Sequence, residues 1–270
     1  MKAARSVPGF LWWIAARRRR IDAARLLELA DLGVPEWEEE LYELLVRVER
    51  RGFPGLLRPL CDCLVQLALD ERQTAFLEVG CGPMEATRQV MERLANEGNA
   101  VPRVFVGLDR SPRAWEAIRR NFASADAQLL EIAAESFDLG TLRRLAADSG
   151  QTQVVFVRAD IAAPPAGLRA FDVSFSCKLR HHVRLEDRHR FDAWLSSVAT
   201  VSVEYDDYRG PLTWLGPSVV AWRHPVLLNG AILSQVRQPT KSEALTMVGQ
   251  RTRLHNPPGS YLRVVRSTHV

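Results

Sequence analysis

FLEVGCGPME, residues 76–85, is the stretch from which the rest of the chain takes its order. Phe76, Leu77 and Val79 form a short apolar run of the kind that makes a buried strand. Gly80 and Gly82 permit a tight turn at positive φ and let a ligand approach the backbone closely. Pro83 suits the first turn of a helix, and Thr87, Val90, Met91 and Leu94 then recur at helical spacing. Strand, glycine turn and helix N-terminus therefore follow one another, which aims backbone N–H groups at a ligand. In the fingerprint GxGxxG the third glycine would fall at Glu85, and a glutamate there suits a pyrophosphate poorly. An uncharged turn among acids fits a cationic or zwitterionic ligand better.

Further strand-end signals follow. VFVGLD, residues 104–109, closes on a carboxylate, with Ser111 placed as N-cap and Pro112 at the first helical position. A carboxylate at the end of a second strand can accept both ribose hydroxyls. VVFVRAD ends at Asp160 and FDVSFS at Ser176, whose end of the strand points into the crevice where doubly wound sheets bind ligands. VSVEYDD is a further strand, Thr240 and Glu243 form a capping box, and TRLHN with YLRVVRS reads as a closing hairpin. Between Asp109 and Val154 the interval is long. Leu129, Leu130, Ile132 and Ala133, then Leu139, Leu142 and Leu145, predict one or two inserted helices at about residues 124–150, forming part of a lid or a dimer surface.

The order EVGCG, GLD, RADI and FDVSFSCKLRHHV resembles the class I S-adenosylmethionine-dependent methyltransferases. Over the whole chain it is similar to a bacterial subgroup acting on small molecules. The matching residues are Ser176, Cys177, His181 and His182, an Asp-x-x-Arg turn at Asp206 and Arg209, and Asn229, Gly230, Ser234 and Arg237. The resemblance implies an α/β fold: a Rossmann-like, seven-stranded doubly wound sheet with an antiparallel last strand. It also implies an α-helical N-terminal cap over residues 1–70 and a methyltransferase domain over 71–270, within which the Trp-, Pro- and Gly-rich composition of about 208–236 suits a lid or substrate loop. S-adenosylmethionine is the implied cofactor, held by Glu78, Gly80, Cys81, Gly82, Asp109, Arg110, Asp160, Ile161 and Ser176, with Asp160 receiving the adenine amino group. One departure is Met84, where the family has a small residue. It either crowds the homocysteine part of the cofactor or points into the core.

Methyl transfer from a sulfonium is a direct displacement that needs alignment and exclusion of water. An oxygen or acidic-carbon acceptor on a small molecule is helped by a general base, and His181 and His182 stand just past the strand that ends at Ser176. Their plainer role is to cap the following helix. Lys178 and Arg180 suggest an acidic substrate, or else are solvated loop charges. Asp206 and Arg209 orient substrate or pair with each other. No metal is expected, because only Glu186 and Asp187 follow Asp172 closely. The rival from another class is a catalytically inactive methyltransferase-fold subunit that binds cofactor or a partner.

Bulk properties agree. A chain of 270 residues with 47% hydrophobic content can bury one substantial core. The net charge is +4, but the first 20 residues carry six basic and no acidic side chains, leaving 30 against 32 in the rest. Basicity is local, so a nucleic-acid surface is not indicated. Four cysteines form neither a disulfide framework nor a zinc pattern, and a reducing cytoplasm is the expected compartment. No stretch has the ~20 apolar residues that cross a bilayer. Residues 7–20 set Phe10, Trp12 and Trp13 beside four arginines. They are expected to fold back as a lid, with contact to a membrane surface the weaker reading.

Overall fold

All five residues of β1 (Ala75–Val79) are buried, so the strand needs a partner on each edge and a helix layer on each face. It obtains both. In the computed structural model, which describes residues 42, 43, 46, 50, 55–99, 103–165, 167–209, 237–247, 252–257 and 259–267, β1 lies parallel to β2 (Val104–Asp109) on one side and to β5 (Phe171–Cys177) on the other. Outside them lie β3 (Ala127–Ile132), β4 (Thr152–Arg158), β6 (Ala199–Asp207), β7 (Thr252–His255) and β8 (Ser260–Arg266), in the order β3-β4-β2-β1-β5-β6-β8-β7. β8 runs antiparallel to β6, and β7 antiparallel to β8, which is the expected hairpin. Most of the expected cap before residue 55, residues 7–20, and residues 210–236 with Asn229, Gly230 and Ser234 lie outside the described residues.

Among the described residues eight strands form the sheet, one more than the sequence predicted. The addition is β3, where Leu129, Leu130 and Ile132 had suggested a helix. Only the second half of that interval is helical. A short apolar run fits a strand and a buried helix equally well, and here Leu129 packs toward one face of the sheet while Leu130 and Ile132 pack toward the other. β3 is an edge strand, half-exposed along its length, and pairs only with β4 among the described residues. VVFVRAD is consequently the fourth strand in the chain.

Two helix layers close the core. Against one face lie α1 (Arg58–Asp70), α2 (Glu85–Asn96) and α3 (Pro112–Asn121), covering Phe76, Phe105, Val154, Phe156, Val173 and Phe175. Against the other lie α4 (Leu139–Ser149) and α5 (Arg188–Val198), over Leu77, Val79, Val106, Leu108 and Val157. Local signals hold where they were expected. Ser111 caps α3 by accepting from Arg113 N–H, and Thr240 with Glu243 completes the capping box of α6 (Lys241–Leu245). Among the described residues no helix is long and apolar enough to cross a membrane.

Met84 resolves into the core. Its backbone is left-handed (φ 54°) and its side chain has no exposed surface. It lies against Gly107 of β2, where an added Cβ would stand 2.6 Å from Met84 Sδ and 2.8 Å from Cys81 Sγ. The small residue missing from the turn is thus supplied by the neighbouring strand. Gly107→Ala is expected to destabilise the fold by about 1–3 kcal/mol through overpacking, and Met84→Ala by about 2–5 kcal/mol through the cavity it leaves. Because the two changes share one space, urea midpoints of the double variant should show a smaller loss than the sum. Strict additivity would contradict the contact.

Candidate active site

The C-terminal ends of β1, β2, β4, β5 and β6 meet at one edge of the sheet, and the residues singled out from the sequence gather there. After β1 the chain turns through Gly80 (φ 64°) and Gly82 (φ 46°), both in the region that favours glycine. The Cβ positions of these glycines are already filled. Leu179 Cδ1 lies 2.5 Å from the one at Gly80, and the Tyr42 ring 3.1 Å from the one at Gly82. The turn is hung from β2 by bonds from Gly80 and Cys81 N–H to the Leu108 carbonyl, at 2.8 and 3.1 Å. Cys81 is buried, which pushes its thiol well up and keeps it protonated.

Asp109 ends β2. One carboxylate oxygen accepts from Gly82 N–H and the other from Ser111 N–H, each at 2.9 Å. Arg110 follows it, exposed, its carbonyl accepting from Arg158. Asp160, just past β4, is exposed and accepts from Ala162 N–H at 2.9 Å, while Ile161 packs on the α4–α5 face. Ser176 is fully buried between Val79 and Glu204 in the sheet register, and its hydroxyl has no hydrogen-bond partner.

Glu78 lies beneath the turn, buried, and accepts from the Thr87 hydroxyl at 2.6 Å. Burial pushes its pKa up to about 8, against the lowering effect of the Thr87 bonds. Above the turn, Arg50 reaches from the N-terminal segment to Glu85 and to Asn121, and Asn121 in turn donates to the Pro83 carbonyl at 2.8 Å.

The turn after β5 holds the histidines. His181 is buried, its Nδ1 3.0 and 3.1 Å from the Asp206 carboxylate oxygens, and its ring is 4.2 Å from that of His182, centroid to centroid. Burial alone would raise Asp206. The imidazole, its hydrogen bond and the Asp207 N–H outweigh that and hold the carboxyl below its ordinary value. Asp206 therefore serves His181, and Arg209 pairs with Glu243 at 3.3 Å, so the local Asp206–Arg209 pair does not form. Lys178, at a left-handed φ of 52°, pairs with Asp207 at 3.3 Å. Arg180 turns inward to Asp192 and Glu204, at 3.2 and 3.6 Å. Asp172, at the far end of β5, accepts from Thr74 and Ala75 N–H, remote from this edge.

Sequence reasoning missed Tyr42, Leu179, Asp192, Glu204 and Arg263. For Glu204 a signal existed: in VSVEYDD the polar residues Ser202, Glu204 and Asp206 alternate with apolar ones, which puts all three on one buried face.

A sheet of this order, with the glycine turn and its strand-end carboxylates, defines the class I methyltransferase fold, and solved structures agree. The chain resembles an O-methyltransferase family protein from Burkholderia thailandensis at a TM-score of 0.56, with 14% identity over 97% of this chain and 70% of that one. It resembles the plantazolicin methyltransferase BpumL, determined with a triazolic desmethylPZN analog and SAH, at 0.53, with 11% identity over 87% of this chain and 100% of that one. The methyltransferase domain of a bacterial Hen1 follows at 0.52, with 8% identity over 77% and 96%. No family model and no curated protein matches the sequence.

Glu78 makes a pH prediction. Its folded pKa of about 8 exceeds the ordinary 4.5, so between these values the folded state binds more protons than the unfolded. Stability must then fall as pH rises through that window. Urea midpoints compared at about pH 5 and about pH 8.5 should drop with pH in the parent protein and drop less in Glu78→Gln. Equal slopes in both would show that Glu78 titrates normally.

Proposed function

We propose that this chain is an S-adenosylmethionine-dependent methyltransferase acting on a small-molecule acceptor, at a hydroxyl oxygen or an acidic carbon. The observation that carries the reading is that one sheet edge joins the Gly80–Gly82 turn and the Asp109 carboxylate to a histidine oriented by a buried carboxylate. The first half fits the cofactor. Two glycines at positive φ give the tight turn after β1, Asp109 is fixed by two backbone donors, and the buried Ser176 hydroxyl has no protein partner. Asp109 would receive the ribose hydroxyls, Asp160 the adenine amino group, and Gly80, Cys81 and Gly82 the amino-acid end, with Glu78, Arg110 and Ile161 lining the site. Bound there, the cofactor supplies a sulfonium-activated methyl group.

The second half fits a general base. Asp206, held as a carboxylate, can only accept, so when the ring is neutral this bond selects the tautomer with its proton on Nδ1, which makes Nε2 the basic nitrogen. An imidazole fixed in that tautomer removes the proton from an acceptor hydroxyl or carbon acid as the methyl group moves. His182, its ring tilted by 40° against that of His181, is the second candidate to touch substrate. Lys178 and Arg209, at the rims of β5 and β6, are the remaining substrate contacts, each with an acidic neighbour that a bound anion would have to displace. A small acceptor is favoured over RNA, because the chain beyond its first 20 residues has no excess of basic side chains.

Calorimetry with S-adenosylmethionine, S-adenosylhomocysteine and NAD should detect the first two alone. Asp109→Ala should weaken them by roughly tenfold or more, as expected for losing a charged hydrogen-bond acceptor. His181→Ala should cut turnover by roughly 10²-fold or more while changing cofactor affinity less than about twofold. Undiminished turnover would remove the base. Cofactor affinity without methylation of any acceptor would instead support a non-catalytic subunit.

A further inference from the structure

We propose that a closed ring of charges, Arg180–Asp192–Arg263–Glu204, positions His181 and sets the charge around it, making Asp192 and Arg263 positioning residues that act through Arg180 and Glu204. The inference deepens the reading of His181 given above and rests on it only for the link to turnover.

The geometry is a double mooring. Arg180 and His181 are consecutive in one short turn, Arg180–His182, while Glu204 and Asp206 are two apart on the same face of β6. Arg180 is tied to Glu204 at 3.6 Å and His181 to Asp206 at 3.0 Å. β8 backs both anchors in register, with Arg263 opposite Glu204 and Tyr261 opposite Asp206. Arg263 meets Glu204 at 2.5 Å and Asp192 of α5 at 2.9 Å, and Asp192 returns to Arg180 at 3.2 Å. Each guanidinium therefore touches both carboxylates, and the ring is neutral. Tyr261 adds a donor, its hydroxyl bonding Glu204 at 2.5 Å, and burial pushes that hydroxyl well up so that it stays protonated.

Three buried charges and one at a partly exposed rim are a poor way to stabilise a sheet. Burying them costs several kcal/mol per ion before pairing, and apolar residues of like size do as well or better. The ladder between β6 and β8 does not need them. What they add is rigidity of the residue next to His181, together with local charge balance. The imidazole faces Asp206 from β6 and His182 from its own turn; the Asp206 carboxylate in turn feels Lys178, Tyr261 from β8 and Arg188 from α5, and Tyr261 and Arg188 both feel Glu204 and Arg180. Removing one ring member leaves a net charge near the histidine in a mostly buried place, where water screens it less than at the surface.

The test uses charge changes of opposite sign. Asp192→Asn leaves the ring with a net positive charge and should move the His181 titration midpoint, followed by NMR of the ring nuclei, down by roughly half a unit. Arg263→Met leaves it negative and should move the midpoint up. A purely structural ring would lower thermal stability in both variants and leave the midpoint in place. Unmoved midpoints, or shifts of the same sign, overturn the proposal. Asp192 lies at the partly exposed rim, so if Arg263→Met does not fold, Asp192→Asn decides alone: a downward shift supports the ring and no shift overturns it. The measurement needs no substrate. If the parent protein methylates nothing while the midpoints shift as stated, the catalytic reading fails and the coupling stands. If methylation occurs and the midpoints stay fixed, the reverse holds.

Discussion

A single residue at the end of β2 holds the sheet edge together. Asp109 takes Gly82 N–H on one carboxylate oxygen and Ser111 N–H on the other, and its backbone carbonyl accepts from Ala159 N–H at 3.0 Å. The glycine turn, the start of α3 and the chain leaving β4 thus share one anchor. Each of those N–H groups would otherwise be an unsatisfied donor at a partly buried site, which costs more than an ordinary hydrogen bond gains. The anchor also explains why a left-handed residue as bulky as Met84 is tolerated. With the turn fixed from below, its side chain has only the notch at Gly107 to enter, and it fills that notch.

Much of the frame is legible in the amino acids because its signals are local. Gly80, Gly82, Ser111, Pro112, Thr240 and Glu243 each act within a few residues of themselves and stand where their chemistry requires, whereas Pro83 falls in the turn before the N-cap Met84 instead of in the first turn of α2. β3 was not legible, since two adjacent leucines near an isoleucine satisfy either period over so short a run. The partner of His181 was not legible for a different reason: it lies 25 residues away on another strand. The tempting local choice, Asp206 with Arg209, fails because the alternation of β6 turns Asp206 inward and leaves Arg209 outside with Glu243.

The arginines show how misleading a charge count can be. A composition of 36 basic and 32 acidic side chains suggests a basic surface. Several guanidiniums are spent inside instead. Arg180 and Arg263 are consumed in the ring and Arg88 lies between Glu85 and Glu92; nearer the surface, Arg143 meets Asp172 at 2.9 Å and Arg50 bridges from the N-terminal segment to α2 and α3. Arginine suits this use because its planar fork binds two acceptors at once and loses its hydration more readily than lysine does.

The order of synthesis gives the hairpin a further meaning. β8 is the last long strand, yet it inserts between β6 and β7 and supplies Arg263 and Tyr261 behind the histidine turn. It also reaches back across the chain: Arg266 pairs with Glu71 over 195 residues, and Ser260 donates to the Tyr205 hydroxyl, which itself bonds the Leu56 carbonyl over 149. Such distant contacts form late, after the loop entropy between them has been overcome. A nascent chain can therefore complete the β1–β2 half and its glycine turn while the histidine remains unmoored. On the ribosome the glycine turn and its Asp109 anchor come first, His181 meets Asp206 once β6 has emerged, and the charges behind that pair are complete only after β8 has docked.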